Sequence, residues 1–408
     1  MQLFRRSNSV GLTLIIAFLS VVIGWQAGHY DLSLSWKNYR PEVKAINQLP
    51  PSDSQTIDFS LFWQTWDLVS KKYVDKKAID PQKMYYGAIQ GMVAALGDPY
   101  TVFLPPEQQK ATEEELGGSF DGVGVQLGYN KDKRLVVIAP LQGTPAEQAG
   151  LKPGDIIVKI NSRDSNSLSL PEAVNMIRGP KGTTIDLEIY HEGDDKTKLI
   201  TLKRDTIVVK SVEYQDKLSP QGKKIGYLKL SRFGEKTDDE WSAAVSQALA
   251  SGVEGVVLDL RNNPGGFLKS ARYIGSEFLN LGQDVVLQED SRGRESYKVN
   301  RQGKLLEIPL VVLINKGSAS ASEIVAGAIQ DYKRGKLVGE QSFGKGTIQE
   351  SDNLPNNTGI HITTAKWLTP AGRWIHSIGL TPDVKVGAGT DASRDPQLEK
   401  ALELFDSR

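Results

Sequence analysis

The period of the apolar positions changes several times along the chain, and each change predicts a different kind of element. Residues 10–27 are apolar almost throughout and carry no charge, with Leu12-Thr13-Leu14-Ile15-Ile16-Ala17-Phe18-Leu19 at the centre. A run of that length is close to the roughly 20 residues a helix needs to cross a bilayer, so residues 1–30 are expected to form a transmembrane signal-anchor. Residues 31–55 hold Pro41, Pro50, Pro51 and several Ser and Asp, the composition of a linker. Over 56–114, Phe59, Phe62, Trp63, Trp66 and Val69 recur at helical spacing, and the aromatic stripe is expected to face a core. A second helix is predicted over Asp80–Leu96, with Pro81 at its first position and Gly97-Asp98-Pro99 at its end. Short strands and glycine turns fill 115–205. From 206 to 386 strands and helices alternate: strand Ile225–Leu230, helix Asp238–Ala250, buried strand Val253–Leu260, helix Phe267–Leu279, apolar strand Ile308–Ile314 and helix Ser320–Tyr332. That alternation predicts an α/β core. Residues 387–408 read as an acidic tail or helix. The fold class is therefore multidomain α/β, with no internal repeat and no low-complexity segment.

Charge and composition narrow the function. Lys and Arg number 49, Asp and Glu 49, so the chain lacks the basic excess of a nucleic-acid binder and no nucleic-acid partner is expected. The absence of cysteine excludes a thiol nucleophile and a thiolate metal site. No HExxH and no His cluster is present, so no metal and no cofactor is expected. Arg5 and Arg6 precede the apolar run; positive charge holds that end in the cytoplasm and puts the rest of the chain outside it. A cleaved signal peptide is the rival reading, but Trp25-Gln26-Ala27 is a poor small-x-small cleavage site.

Two segments suggest peptide binding. Gly150-Leu151-Lys152-Pro153-Gly154-Asp155-Ile156-Ile157-Val158-Lys159-Ile160-Asn161 resembles the PDZ signature. Upstream, Gly122-Val123-Gly124-Val125 resembles the carboxylate-binding loop of that domain, where glycines let successive N–H groups converge on an anion. A peptide then adds as a strand beside the loop, against a helix expected over Leu170–Ile177. Arg178, closing that helix, either senses the carboxylate or compensates the helix dipole. The bland reading of the glycines is a tight turn.

The segment Lys316-Gly317-Ser318-Ala319-Ser320-Ala321-Ser322-Glu323-Ile324 runs from an apolar strand into a helix, the geometry that lifts a nucleophile above a sheet. Ser320 and Glu323 also satisfy the capping-box pattern, so Ser320 is a helix cap on the bland reading. None of the four histidines, His29, His191, His361 and His376, stands in a triad motif. Lys345, in Gly344-Lys345-Gly346-Thr347, is the alternative base if burial lowers its pKa; otherwise it is a surface lysine in a hairpin. Gln349 is placed to orient it through its amide oxygen. Gly339 to Lys345 begins like a phosphate-binding loop, but Gly346 replaces the Ser or Thr that motif requires. Asp259-Leu260-Arg261-Asn262-Asn263-Pro264-Gly265-Gly266 ends a buried strand; its glycine N–H groups are either oxyanion donors or part of a plain turn.

Together, Leu96-Gly97-Asp98-Pro99-Tyr100, the PDZ signature, Leu260 to Gly266, Gly317 to Glu323 and Phe343-Gly344-Lys345-Gly346-Thr347-Ile348-Gln349 resemble the carboxyl-terminal processing, or tail-specific, peptidases. The resemblance implies a PDZ domain over 115–205 and a Ser–Lys protease core of the ClpP/crotonase-like type over 206–386. It implies Ser320 as nucleophile, Lys345 as general base, Gln349 as its orienter, and Ala321 with Gly265 or Gly266 as oxyanion donors. The expected activity is serine endopeptidase cleavage of envelope or secreted proteins near apolar C-termini held by the PDZ domain, in the periplasm, thylakoid lumen or cell exterior. A homodimer through the aromatic helical segment is a further expectation. The alternative is a non-catalytic, membrane-tethered PDZ scaffold.

Overall fold

The computed structural model describes residues 32–37, 40–45, 57–191, 193–389 and 394–406. The expected anchor over 1–30 lies outside the described residues, and among those described no helix is long and apolar enough to cross a membrane. The chain divides into two compact units, 1–84 and 85–408.

In the first unit the expected linker holds a hairpin of β1 (Leu32–Lys37) and β2 (Arg40–Ala45), paired antiparallel. The prolines and serines suggested a tether; Leu32, Leu34 and Trp36 alternate with polar residues, which is the period of a strand. The aromatic run forms α1 (Ser60–Lys72). Its expected core role is not met: the helix buries none of its residues, and Trp63 is 61 % exposed. The rings pack on one another, with Phe62 edge-on to Trp63 at 5.0 Å, rather than under a covering element of their own unit. The next helix, α2 (Pro81–Ala94), starts at Pro81 as expected.

After the turn at 95–101 come β3 (Val102–Leu104) and α3 (Pro106–Gly117). A small β-domain follows: β4 (Ser119–Gly122), β5 (Val125–Tyr129), β6 (Leu135–Pro140), α4 (Pro145–Gln148), β7 (Ile156–Ile160), β8 (Arg163–Asp164), α5 (Leu170–Ile177), β9 (Thr184–Tyr190), β10 (Lys198–Lys203) and β11 (Asp205–Val208). Its main sheet runs β10-β9-β7-β6-β5, which leaves β5 at an edge. In β9, Ile185, Leu187 and Ile189 are buried and alternate with less buried Asp186 and Glu188, as a one-sided sheet requires. Ser169 starts α5 with a Ser–Glu capping box. The other end of α5 is held by Arg204, whose guanidinium donates to the Met176 and Ile177 carbonyls at 2.9 and 2.8 Å, satisfying orphan acceptors of the last turn.

The remaining chain supplies β12 (Val212–Leu218), β13 (Lys224–Leu230), α6 (Thr237–Ala250), β14 (Gly255–Asp259), α7 (Leu268–Gly275), β15 (Asp284–Asp290), β16 (Gly293–Lys298), β17 (Leu310–Ile314), α8 (Ala321–Asp331), β18 (Lys336–Gly339), β19 (Thr347–Leu354), β20 (Thr358–Leu368), β21 (Val384–Lys385) and α9 (Pro396–Glu403). One sheet has the order β12-β13-β14-β17-β18-β21, parallel from β13 onward. Every residue of β14 and β17 is buried, the mark of a parallel strand covered on both faces. Trp241, Ile274, Phe278, Val325 and Ile329 share one core with this sheet. On the other side Ala401 and Phe405, of and just after α9, pack with Val257, Val311 and Leu313. Of the two readings of the C-terminal segment, tail or helix, the structure has a helix, and it packs into the core. A second sheet, β16-β15-β20-β19 with β3 on β20, stands beside the first.

Candidate active site

In a parallel sheet, ligands gather beyond the carboxyl ends of the strands. Three neighbouring strands, β14, β17 and β18, send the loops 260–267, 315–320 and 340–346 to that end. The first two are stitched together. Ala319 N–H donates to the Asn263 carbonyl (3.0 Å), and Asn262 and Asn315 exchange two hydrogen bonds at 2.9 Å, while Asn263 Nδ2 ties the first loop to the Leu230 carbonyl at the end of β13 (2.7 Å). Gly317 lies so close to Asn262 that a Cβ there would sit 2.8 Å from its Cα.

This stitching sorts the three serines. Ser318 is fully buried and its hydroxyl donates to the Leu260 carbonyl at 2.8 Å; Ser322 is fully buried and donates to the Asn263 carbonyl at 2.9 Å. Ser320 alone of the three lines the cleft at the end of the sheet. Its backbone has φ 54° and ψ −116°, a region that a side-chain-bearing residue occupies at a cost and that a sharp strand-to-helix turn imposes. Ser320 is also the N-cap residue of α8, so its place at the helix start does not keep it from facing the cleft.

The cleft, of about 310 Å³, is lined by Ser320, Ala321, Lys345, Gln349, Gly265 and Gly266, with Thr112, Glu115 and Leu116 of α3 along one wall. All six expected site residues of this region therefore meet. The Gly265 backbone approaches Ser320 closely: a Cβ on Gly265, at φ +105°, would stand 2.8 Å from Ser320 Cβ. The two glycines differ in what their N–H groups do. Gly265 N–H donates to Asn263 Oδ1 at 2.9 Å. The Gly265 carbonyl accepts from Phe233 N–H at 2.8 Å, and in a trans peptide the Gly266 N–H points the opposite way, away from Phe233.

Lys345 is half-buried, between glycines that let its loop pack tightly; a Cβ at Gly346 would meet the His376 backbone nitrogen at 2.9 Å. Burial lowers the Lys345 pKa, while Asp98 and Glu323 oppose that shift by their negative charge. Its Nζ lies over the Tyr100 ring, 5.0 Å from the centroid. Among the described residues no hydrogen bond joins Nζ to Ser320 Oγ. Gln349 was expected to orient the lysine through its amide oxygen. Among the described residues no hydrogen bond joins that oxygen to Nζ; its Nε2 donates to Thr347 Oγ1 (2.9 Å) and Thr363 Oγ1 (3.0 Å), which fixes the amide in the cleft wall. His361, on β20, lines the same cleft, and burial and then the charge of Lys345 push its pKa down.

Sequence reasoning saw Glu323 only as a cap. The structure makes it the joint of the site. Fully buried, it accepts from Ser320 N–H (2.9 Å), Lys345 N–H (2.9 Å), Gly344 N–H (2.6 Å) and the Ser342 hydroxyl (2.6 Å). Burial raises its pKa, and those four hydrogen bonds pull it back. One carboxylate thus ties the serine turn to the lysine loop. The signal in the sequence was its place three residues after Ser320; the second set of partners is visible only in the fold.

The loop Gly122-Val123-Gly124-Val125 lies between β4 and the edge strand β5. Gly124 has φ +74° and packs against Thr144. Among the described residues the N–H groups of Val123 and Gly124 have no acceptor, while both carbonyls accept from the 141–146 segment. Arg178 closes α5 beside this loop, its Cα 3.8 Å from where a Gly122 Cβ would be. Its guanidinium stacks on Phe120 at 4.5 Å and pairs with Glu114 of α3 at 3.1 Å. Among the described residues no cluster of His, Asp and Glu could hold a metal ion.

The comparisons with known proteins agree with this geometry. Peptidase family S41 matches residues 224–386, the PDZ domain 110–190, and the activating protease CtpB N-terminal domain 21–108. The carboxy-terminal processing protease CtpB of Bacillus subtilis is 34% identical over 392 residues, 96% of this chain and 81% of the relative. The carboxyl-terminal-processing protease of Synechocystis is 39% identical over 356 residues, 86% of this chain and 83% of the relative. A solved S41 protease of Bacteroides fragilis shares the fold, with a TM-score of 0.56 and 16% identity over 89% of this chain and 99% of that one. This chain belongs to the carboxy-terminal processing proteases of peptidase family S41, serine-type peptidases that carry a PDZ domain.

Proposed function

We propose that the chain cleaves proteins near apolar C-termini with Ser320 as nucleophile and Lys345 as general base. The observation that carries this reading is the Glu323 joint, which holds the backbone of a strained, cleft-facing serine and that of a half-buried lysine on one carboxylate. Neutral Lys345 takes the Ser320 proton as Oγ attacks the scissile carbonyl. The resulting ammonium gives that proton to the departing amine, and water, deprotonated in turn by Lys345, hydrolyses the acyl-enzyme. The oxyanion is received by the Ala321 N–H at the start of α8 and by the Gly266 N–H, since the Gly265 N–H is engaged with Asn263. Gln349, fixed by Thr347 and Thr363, presents its amide oxygen to the lysine once the substrate draws Nζ towards Ser320. Catalytic hydrogen bonds are often made only in the substrate complex.

The substrate's terminal carboxylate enters the nest of Val123 and Gly124 N–H groups, and its strand adds to the free edge of β5. The same binding is read by the protease through α3. This helix offers Glu114 to Arg178 and, from its last turns, Thr112, Glu115 and Leu116 to the cleft. A carboxylate that competes for Arg178 would release α3 and shift the population towards an aligned dyad. The charge-free stretch 10–27 after Arg5 and Arg6 supports a membrane-anchored enzyme working outside the cytoplasm, on envelope or secreted proteins. The exposed rings of α1 favour a homodimer. The dyad is tested by incubating wild type, Ser320→Ala and Lys345→Ala with an unfolded protein ending in an apolar residue, in EDTA, and following cleavage by mass spectrometry.

A further inference from the structure

The segment Leu96-Gly97-Asp98-Pro99-Tyr100 has no part in the dyad, the oxyanion site or the peptide groove, yet it lies against Lys345. Asp98 closes the turn on itself, accepting Tyr100 N–H at 3.1 Å and the Thr101 hydroxyl at 2.7 Å. Thr101 Oγ1 accepts Thr363 N–H at 3.0 Å, which fastens the turn to β20 at the same residue that holds Gln349. The result is a ring placed under the lysine, with Nζ 5.0 Å from the Tyr100 centroid. The ring is backed by His376, edge-on at 6.1 Å, and Trp374 stacks on His376 at 5.2 Å. Trp374 Nε1 in turn donates to the Gly346 carbonyl at 2.9 Å. The loop that supports the ring therefore also grips the loop that carries the lysine.

We propose that Asp98 and Tyr100 are positioning residues that seat the Lys345 ε-ammonium and so set the proton affinity of the base. The inference rests on the reading of Lys345 as the general base. A lysine base must lose its proton to begin the reaction, yet it must exist as an ammonium until the leaving amine takes the proton. Burial favours the amine. A carboxylate and the negative face of an aromatic ring favour the ammonium. The ring does so without occupying any N–H group, which leaves all of them free to donate to Ser320 or the leaving group.

The charged and titratable groups around Nζ come from four elements. Asp98 and Tyr100 come from the turn, and Glu323 from α8. His361 of β20 is held neutral by burial and by the lysine itself. His376 stands behind Tyr100. Burial works against the Asp98 carboxylate, but hydrogen bonds from Thr363, Thr101 and Tyr100 keep its pKa below the usual range, so it stays charged. Burial, Glu323 and Asp98 keep the Tyr100 phenol neutral. Glu323 and Asp98 are both engaged with their own donors, and among the described residues neither forms an ion pair with Nζ, which leaves the Tyr100 ring as the group in contact with the ammonium, while Asp98 holds the backbone of Tyr100 and adds its negative charge from a distance.

The test is competitive acetylation of the full-length chain across pH, with mass spectrometry of the peptide that holds Lys345, which reads the amine's midpoint without requiring turnover. The acid limb of kcat/KM on a quenched fluorescent peptide with a free apolar C-terminus is measured beside it. Removing a group that favours the ammonium lowers the midpoint. Asp98→Asn and Tyr100→Leu are each expected to move it down by about half to one and a half pH units. Tyr100→Phe, which keeps the ring face, is expected to stay near wild type, and the acid limb should follow the midpoint. Unmoved midpoints in both Asp98→Asn and Tyr100→Leu would overturn the seat, as would a Tyr100→Phe shift equal to that of Tyr100→Leu. A midpoint that moves while the acid limb stays, or wild-type cleavage by Lys345→Ala, would overturn the dyad instead and leave the seat without a catalytic role.

Discussion

Glu323 carries more of the site than any other single side chain. A carboxylate accepts at both oxygens, and here each accepts from two donors. Glu323→Gln keeps the shape but turns one oxygen into a donor that faces donors. Buried N–H groups left without an acceptor cost about 1–3 kcal/mol, so a clear fall in denaturation midpoint is expected. A fall in kcat larger than the change in KM should accompany it, because both catalytic backbones shift. Gly265→Ala tests the close approach at Ser320. The added methyl meets Ser320 Cβ at 2.8 Å and demands φ +105°. With the oxyanion site displaced, kcat should fall by about 10²-fold or more, measured on protein whose circular dichroism is unchanged. The pH profile follows from Lys345, whose pKa burial lowers. In the proposed mechanism the neutral amine is the active form, so kcat/KM should rise with pH through the lowered pKa and be lost as pH falls below it. A profile flat down to the carboxylate range would contradict the assignment.

At the scale of elements, the parallel strands from 224 to 331 and the helices between them were legible to within a few residues, because buried parallel strands read as continuous apolar runs and the helices as amphipathic ones; the antiparallel pair β15 and β16, largely polar and partly exposed, was not. The Ser320 turn was legible as a strand-to-helix junction. Ser320 was singled out there by its capping-box place and by the resemblance, but why it rather than its neighbours faces the cleft was not legible, because that depends on Leu260 and Asn263 taking the hydroxyls of Ser318 and Ser322. The seat for Lys345 was invisible for the same reason: Asp98 and Tyr100 reach it through the pairing of Thr101 with β20. One expectation failed on burial. The aromatic stripe of α1 shows a core pattern without a core, since periodicity reports an apolar face but not what covers it. The C-terminal segment, read as an acidic tail or helix, forms α9, buries Ala401 and Phe405 and pins Asp395 to Arg261 at 2.8 Å. Phe405→Ala should cost about 3–5 kcal/mol, seen as a lower urea midpoint with an unchanged slope. An effect near zero would mean that α9 docks only through its polar contacts.

At the scale of the molecule, the PDZ domain and the protease core meet around α3, which pairs with Arg178 on one side and lines the cleft on the other. Regulation through that helix predicts a dependence on the substrate's last atom. A peptide with a free carboxylate should be cleaved faster than its C-terminal amide, and Arg178→Ala should remove most of the difference. Equal rates for acid and amide in wild type would argue against recognition of the terminus. The account as a whole stands on Ser320 and Lys345 forming one metal-free hydrolytic site. Its most direct test is cleavage of an unfolded protein with an apolar C-terminus by wild type, Ser320→Ala and Lys345→Ala in the presence of EDTA, read by mass spectrometry. The account predicts C-terminal fragments from wild type and none from either variant. Cleavage that survives Ser320→Ala would contradict it.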